Sequence, residues 1–322
     1  MAATQLNHGR QAEELIEAGL MTDLTELADA EGWRDLVNPS ALLDSCTLDG
    51  RIYCVPINIH SWQWIWLSHA AFEEAGVPVP TNWDEFAAAA PALRAAGLQP
   101  LAMGQQGWQQ SGAFGVMAIA LAGQDAWSAV NIDKNADVAA GPEYARVFQA
   151  AVDARAFAAG SNVQDWNQAT NMVIMGDWAQ GEFQVAGQVA GEDYTCLPGL
   201  GEAEILDTGG DAFYFPVIDD PEVKAAQLEL ASLLISPEVQ VSFNLAKGSL
   251  PVRGDIDMSA ANDCMQKGLD ILASGSILPS GDMNLTPDTQ TQIEELMAEF
   301  WSSDMSATDA QARYASIIAD AD

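Results

Sequence analysis

The sequence predicts an α/β fold with two lobes. Segments rich in β-branched and aromatic residues alternate with segments of helical periodicity, which is typical of the α/β class. The chain has 322 residues, more than the roughly 100–200 of one domain, so two lobes are expected. No repeat, low-complexity tract or flexible linker divides the chain into halves. The two lobes should therefore be interwoven rather than consecutive.

In the first third of the chain, the patterns predict two short helices, a strand and a longer helix. The two helices fall in QAEELIEAGLMTDLTELADAEGW, and the clearest strand is RIYCVPINIHSWQWIWLS, bent at Pro56. A helix follows in TNWDEFAAAAPALRAAG, with Thr81 as its N-cap and Gly97 as its stop. Pro91 lies inside this pattern, so we expect it to kink or split the helix.

Later segments continue the alternation of helices and strands. AFGVMAIALAG and GPEYARVFQAAVDARAFAA predict helices, and AFYFPVID predicts a strand. The following segment, DPEVKAAQLELASLLI, predicts a helix, and the next helix has Ser236 as its cap, Pro237 at its first position and Gly248 after its end. Two capped helices are predicted in TPDTQTQIEELMAEFWSS and SATDAQARYASIIADA.

Composition excludes several classes of function. The formal net charge of -34 repels phosphate backbones and anionic lipid, so no nucleic-acid partner is expected. No apolar run reaches the ~20 residues of a membrane-spanning helix, so no membrane insertion is expected. Three histidines and no zinc-ligand spacing argue against a metal site, and we expect no cofactor.

The four cysteines suggest an oxidising compartment, although an even number of buried thiols is the alternative. Cys46 and Cys54 flank TLDGRIY, which predicts a hairpin turn around Leu48-Asp49-Gly50. A disulfide across the base of that hairpin is sterically feasible. Cys196 and Cys264 are the remaining pair.

Three tryptophans lie in polar segments rather than among apolar neighbours: Trp108 in QQGWQQ, Trp166 in QDWNQ and Trp178 in GDWAQG. An indole beside carboxylates and amides suits a sugar ring, because the ring stacks on the indole while the polar groups bind hydroxyls. Burial in the core is the alternative for each of them. Asp211 in TGGDAFYF is a candidate hydroxyl acceptor or a turn residue, and Lys247 is a candidate donor or a helix-terminus cation.

No nucleophile elbow, Walker loop or dinucleotide fingerprint occurs, so no enzyme is expected. The 46 acidic residues leave open a pair of glycosidase carboxylates. A carbohydrate-active enzyme and a degenerate paralogue that binds no sugar are therefore the alternatives to a sugar receptor.

Several motifs together resemble those of the extracellular solute-binding proteins of family 1, in particular the glucose-type monosaccharide binders of ATP-driven (ABC) importers. They include GRIYCVPINIHSWQWIW, DWNQATNMVI, MGDWAQGEF, DYTCLPG and FNLAKGSLPVR, in this order and over nearly the whole chain. The resemblance implies a periplasmic-binding-protein-like fold of type II, with two interwoven lobes, a hinge, and a sugar clamped between them. It also implies a monomeric, non-catalytic protein with a monosaccharide ligand and the transmembrane permease subunits as partners.

The resemblance assigns the lobe boundaries and the site. Lobe 1 would comprise residues 1–66 and 208–254, and lobe 2 would comprise residues 67–207 and 255–322. Carried over by motif, the expected sugar contacts are Gln5, His60, Trp108, Trp166, Trp178, Asp211 and Lys247. Asp211 would be the main hydroxyl acceptor, Lys247 a charged donor and the tryptophans the stacking surfaces. A Cys196–Cys264 disulfide is implied in the same way.

The chain departs from that family at its beginning. The family's first strand, with a Trp-Trp pair, and the following helix and strand have no counterpart here, and no signal peptide is visible. We therefore expect an N-terminally incomplete copy of a periplasmic protein, with its signal peptide upstream. Residues near Asn7 and Met283 stand where similar proteins tend to have His.

Overall fold

The protein is described here from a computed structural model, which covers residues 2–161, 163–169 and 171–321, without the side chains of Trp166 and Asp282. The described residues divide into two compact units. The first unit comprises residues 1–61, 207–261 and 279–287, and the second comprises residues 62–206, 262–278 and 288–322. Each unit therefore collects segments that are far apart in the chain.

The expected lobes differ from the two units in four places: residues 62–66 lie in the second unit, and residues 207, 255–261 and 279–287 lie in the first. The largest of these segments is 279–287. Its short helix Gly281–Asn284 packs against the turn Arg10–Ala12, so its contacts are with the first unit. The chain crosses between the units after Ser61, Leu206, Ala261, Leu278 and Pro287.

The first unit is built on a three-stranded antiparallel sheet. Asp211–Tyr214 is the central strand, with Thr4–Asn7 on one side and Cys54–Pro56 on the other. In this register Asn7 pairs with Asp211 and Cys54 pairs with Tyr214. Asp211 is therefore the first residue of the central strand.

Helices and a hairpin surround this sheet. The helices of the first unit are Glu13–Glu17, Thr25–Glu31, Trp33–Leu36, Ala41–Asp44, Pro221–Leu234, Pro237–Lys247 and Gly281–Asn284. The strands Thr47–Leu48 and Arg51–Ile52 form the predicted hairpin, with Asp49 at φ 50° and Gly50 at φ 78° in its turn. Positive φ at both central residues is typical of a tight hairpin turn.

The second unit also contains a three-stranded antiparallel sheet. Trp64–Ser68 is its central strand, between Met172–Ile174 and Tyr194–Pro198. Two further short strands are Leu206–Asp207, at the boundary of the units, and Ile277–Leu278. Trp64 and Trp66 are buried on the central strand and stack with ring centroids 5.7 Å apart.

Helices make up most of the rest of the second unit. They are His69–Ala75, Trp83–Ala95, Gly107–Met117, Gln124–Asn131, Ala136–Ala139, Pro142–Ala158, Ala179–Val185, Asp263–Ser274, Pro287–Ser302 and Ala307–Ala319, with the π-helical turn Ala118–Ala122 and the 3-10 turns Trp166–Gln168 and Gly199–Gly201. A core aromatic cluster of Phe114, Tyr144, Phe148 and Tyr314 joins three of the helices.

Three local predictions are wrong. RIYCVPINIHSWQWIWLS is not one strand: it contains Arg51–Ile52, Cys54–Pro56 and Trp64–Ser68, which belong to different sheets. The helix cap is Asn82, whose side chain accepts from the Glu85 N–H, whereas Thr81 binds the Glu85 carboxylate. The split expected at Pro91 does not occur, because the helix is continuous through this residue and has buried residues on both sides of it, including Leu93; a kink there stays a prediction. The capping predicted for Ser236, Pro237 and Gly248 is confirmed.

Both expected disulfides are present. The Cα atoms of Cys46 and Cys54 lie 5.1 Å apart, across the base of the hairpin in the first unit. Those of Cys196 and Cys264 lie 6.1 Å apart in the second unit and join a sheet strand to the helix Asp263–Ser274. Among the described residues, no helix is long and apolar enough to cross a membrane.

Candidate functional site

The first unit gathers three of the predicted site residues around the carboxylate of a fourth, Asp211. Gln5 Nε2 donates to Oδ1 over 2.6 Å, and the Lys247 ammonium pairs with Oδ2. His60 Nδ1 lies 3.7 Å from the same Oδ2. We call Gln5, Asn58, His60, Asp211 and Lys247 the carboxylate cluster. Its members come from four stretches of sequence, of which one supplies both Asn58 and His60, so only folding brings the four together.

Asn58 is the member that sequence reasoning missed. Its side-chain Nδ2 donates to Asp211 Oδ2 over 2.7 Å, and its Oδ1 accepts from the Asp211 backbone N–H over 2.7 Å. Asn58 is fully buried. A signal was available in the sequence: PINIH places one amide among apolar residues, and a buried amide needs hydrogen-bond partners.

Two glycines allow the backbone to pass close to this cluster. A side chain at Gly210 would overlap the Asn58 carbonyl and the His8 ring, and one at Gly209 would press on the His60 ring. The His60 N–H donates to the Gly209 carbonyl over 3.0 Å, and the His8 N–H donates to the Gly210 carbonyl over 3.2 Å. Close packing against two histidines therefore explains the Gly-Gly pair before Asp211.

The electrostatic setting keeps Asp211 ionised. Burial acts to raise its pKa, because the charged form loses water. The interaction with His60, and then the charge and hydrogen bond of Lys247, act in the opposite direction and prevail. The pKa of Asp211 therefore lies well below its usual range, and the group is a permanent hydrogen-bond acceptor at neutral pH.

The second unit contains a separate group of partly exposed tryptophans. The Trp62 ring packs edge-to-face against Trp178, with centroids 4.9 Å apart, and against Trp108, with centroids 5.7 Å apart. All three side chains are half-buried. We call Trp62, Trp108 and Trp178 the tryptophan cluster. The structure thus brings together two of the predicted aromatic residues and adds Trp62, which the sequence reading did not select.

Glycines again permit the close packing. A side chain at Gly176 would overlap the Trp178 ring, and one at Gly112 would overlap the Trp62 ring. The Trp108 indole N–H donates to Gln106 Oε1 over 2.5 Å. The third predicted tryptophan, Trp166, lies in the turn Trp166–Gln168, and its side chain is outside the described part of the structure.

The arrangement suits hydroxyl recognition and ring stacking more than metal chemistry. Among the described residues, no group of three or more His, Cys, Asp or Glu side chains is arranged to hold a metal ion. The carboxylate cluster combines one permanent acceptor with amide and ammonium donors, and each sugar hydroxyl can both donate and accept.

Comparison with known proteins agrees with this chemistry. Residues 2–240 match the model of the bacterial extracellular solute-binding protein family. This chain belongs to that family. A probable sugar-binding periplasmic protein of Rhizobium meliloti is 34% identical over 267 residues, which are 80% of this chain and 64% of the relative. One of the same description from Brucella melitensis is 33% identical over 270 residues, which are 81% of this chain and 63% of the relative.

The fold is likewise that of a solute-binding protein. A solved chitin oligosaccharide binding protein superposes with a TM-score of 0.81 at 20% identity, covering 99% of this chain and 83% of that protein. The α/β fold expected for a periplasmic solute-binding protein is therefore confirmed. The matches to the two curated relatives span less than two thirds of the length of those relatives.

Proposed function

We propose that this chain is the sugar-binding component of an ATP-driven importer, with a glucose-type aldohexose as its ligand. In this proposal the protein acts in the periplasm and delivers its sugar to the permease. The family membership and the names of the two relatives support a sugar receptor. The preference for glucose, followed by galactose or mannose, rests on the resemblance of the sequence motifs.

One observation carries the proposal: a mostly buried, ionised carboxylate is surrounded by donors from separate segments. The Asp211 side chain is 14% exposed, and Lys247 is 26% exposed, so a ligand can approach both. A sugar hydroxyl that donates to Asp211 can accept from the Lys247 ammonium or the Gln5 amide. Hydrogen bonds to charged groups are the stronger ones, and they favour polyhydroxylated ligands.

The tryptophan cluster supports the same ligand class. Half-buried indoles offer apolar faces to the C–H side of a pyranose ring. We propose that the tryptophan cluster also contributes to sugar binding.

The charge of Asp211 favours binding over glycoside hydrolysis. A glycosidase uses two neighbouring carboxyl groups, one protonated and one ionised, whereas Asp211 is ionised and is the only carboxyl group of the carboxylate cluster. We therefore propose a receptor without turnover. The names of the two relatives are consistent with this, since neither describes an enzyme.

Titration calorimetry with glucose, galactose, mannose and maltose, together with chromatography of the sugars after long incubation, tests the proposal. Saturable binding of an aldohexose without any new product supports a receptor. Turnover of maltose, or no binding of any sugar, contradicts it.

The site is tested with the substitution Asp211→Asn, which preserves shape and removes charge. We expect a loss of affinity of about tenfold to a hundredfold. Asp255→Asn is the matched control, because Asp255 is an exposed carboxylate of the same unit, paired with Arg253. If both variants bind sugar equally well, Asp211 is not part of the site.

A further inference from the structure

The imidazole of His8 contacts Ser45 through one ring nitrogen and packs the other against the backbone that leads to Asp211. His8 Nδ1 lies 2.8 Å from Ser45 Oγ. A Cβ atom built on Gly210 would lie 2.7 Å from His8 Nε2, so the ring is packed directly against this glycine. His8 is fully buried, so it is not itself a candidate sugar contact.

Ser45 decides which nitrogen of the His8 ring carries the proton. The Ser45 hydroxyl has one hydrogen, and it donates this hydrogen to the Leu42 carbonyl over 2.8 Å, because a carbonyl can only accept. Ser45 Oγ must then accept from the histidine, so Nδ1 of His8 is the donor. Burial, and then the charge of His60, lower the pKa of His8 to about 4. At pH 7 the ring is therefore neutral and in the Nδ1–H tautomer.

This tautomer leaves a lone pair, not a hydrogen, on His8 Nε2. Within the described part of the chain, Nε2 has no hydrogen-bond partner. A proton on Nε2 would be directed to the Gly209 carbonyl, which already accepts from the His60 N–H over 3.0 Å. With the proton on Nδ1, His8 does not compete for the carbonyl that binds His60.

The backbone of His8 is joined to the same segment. The His8 N–H donates to the Gly210 carbonyl over 3.2 Å. The strand Thr4–Asn7 ends immediately before His8, and its last residue pairs with Asp211. The ring and the backbone of His8 therefore both act on Gly210, the residue that precedes Asp211.

We propose that Ser45 and His8 are positioning residues of the carboxylate cluster. Ser45 fixes the tautomer of His8, and the neutral ring supports the backbone at Gly210, which sets the place of the Asp211 carboxylate. Neither Ser45 nor His8 contacts the sugar. This inference rests on the proposed function, because it assigns the two residues to the same sugar site.

Long-range proton–nitrogen correlation spectra of the full chain, with isotope-labelled histidine, test the tautomer at pH 7. The chain has three histidines, and His8 is assigned through its backbone connectivity. Nδ1 of His69 is the internal reference for a protonated nitrogen, because it lies 2.7 Å from the Glu192 carbonyl and can only donate to it. We expect His8 to show a protonated Nδ1 and an unprotonated Nε2. The reverse pattern would overturn the proposal.

Two variants of Ser45 test how the tautomer affects the site. Ser45→Ala lacks the acceptor, so the proton should move to Nε2 and the backbone amide signal of Asp211 should shift. Its sugar affinity should fall by about twofold to tenfold. Ser45→Thr retains the hydroxyl, so it should restore the Nδ1–H tautomer, the Asp211 signal and the affinity.

Ser274→Ala is the matched control for Ser45→Ala. The Ser274 hydroxyl also donates to the carbonyl three residues before it, over 2.7 Å, and accepts from a backbone N–H rather than from a histidine. It lies in the second unit. The control should leave the His8 tautomer, the Asp211 signal and the sugar affinity unchanged. Equal changes in both variants, or an unchanged Asp211 signal in Ser45→Ala, would overturn the positioning role.

The spectra separate this proposal from the proposed function. If the native protein binds none of glucose, galactose, mannose and maltose, the proposed function fails, whereas the tautomer and the Asp211 signal still decide the positioning role. If the native protein and Ser45→Ala bind sugar with equal affinity, the positioning role fails and the proposed function stands. The tautomer is measured on the native protein, so this test holds even if Ser45→Ala does not fold.

Discussion

Asn58 and Asp211 exchange two hydrogen bonds, each 2.7 Å long: the Asn58 amide donates to the carboxylate, and the Asp211 backbone N–H donates to the Asn58 amide oxygen. The pair fixes both the backbone and the side chain of Asp211. Asn58 therefore orients the acceptor on which the proposed sugar site depends.

The first prediction concerns this pair. Asn58→Ala removes one donor and one acceptor from a buried position, and one of the lost bonds involves a charged group. We expect the free energy of unfolding to fall by about 2–4 kcal/mol, measured by urea denaturation, and sugar affinity to fall as well.

Asn131→Ala is the control for Asn58→Ala, because Asn131 is also buried but donates to neutral oxygens of Trp127 and Tyr144. Asn131→Ala should lower the free energy of unfolding by less than Asn58→Ala does, and it should leave the sugar affinity unchanged. A smaller loss in Asn58→Ala than in the control would contradict the role of Asn58.

The second prediction uses two glycines of the helix Gly107–Met117. A methyl group at Gly112 would overlap the Trp62 ring, whereas one at Gly115 has no atom within 4 Å. Gly112→Ala should displace Trp62, change the near-ultraviolet circular dichroism and weaken sugar binding. Gly115→Ala should leave both unchanged and stabilise the helix by about 0.5–1 kcal/mol. Indistinguishable spectra and affinities for the two variants would show that Gly112 does not position Trp62.

The third prediction concerns the tryptophan cluster. Trp62→Leu should weaken sugar binding in titration calorimetry, because the variant loses an aromatic surface for stacking against the sugar ring. Unchanged affinity would remove Trp62 from the sugar site.

The fourth prediction concerns His8, which is fully buried with Nδ1 2.8 Å from Ser45 Oγ. Burial, and then the charge of His60, lower the pKa of His8 from 6.5 to about 4. Between these values the unfolded chain binds a proton that the folded protein does not, so stability falls as the pH falls from about 6.5 to 4. The full shift corresponds to about 3 kcal/mol.

Urea denaturation at pH 7 and pH 4.5, on the native protein and on His8→Gln, measures this effect. The variant should lose less stability on acidification than the native protein. Equal acid sensitivity of His8→Gln and the native protein would exclude His8 as the cause.

The fifth prediction compares the disulfides. Cys46–Cys54 closes a separation of 8 residues, and Cys196–Cys264 closes one of 68. Because a disulfide that closes a longer loop removes more entropy from the unfolded chain, Cys196–Cys264 should stabilise the protein by about 2 kcal/mol more than Cys46–Cys54. Replacing both cysteines of each pair with Ala, followed by urea denaturation, should show the larger loss for Cys196–Cys264. The opposite order would mean that local packing, not chain entropy, dominates.

By itself, the sequence determined the local elements and the chemistry of the residues. The hairpin at Asp49-Gly50 and the helix with Ser236 and Gly248 at its ends depend on neighbouring residues, so their patterns were sufficient. The motifs also indicated the family.

Only the tertiary structure decided which segments share a sheet and what surrounds Asp211. The segment from Arg51 to Ser68 looked like one strand because apolar and polar residues alternate along it, although it contains three strands that belong to three different sheets. Asn58 and Asp211 are 153 residues apart in sequence, and no local pattern encodes their two hydrogen bonds. Such long-range pairs form because a buried polar group needs a hydrogen-bond partner. The fold supplies that partner from a distant part of the chain.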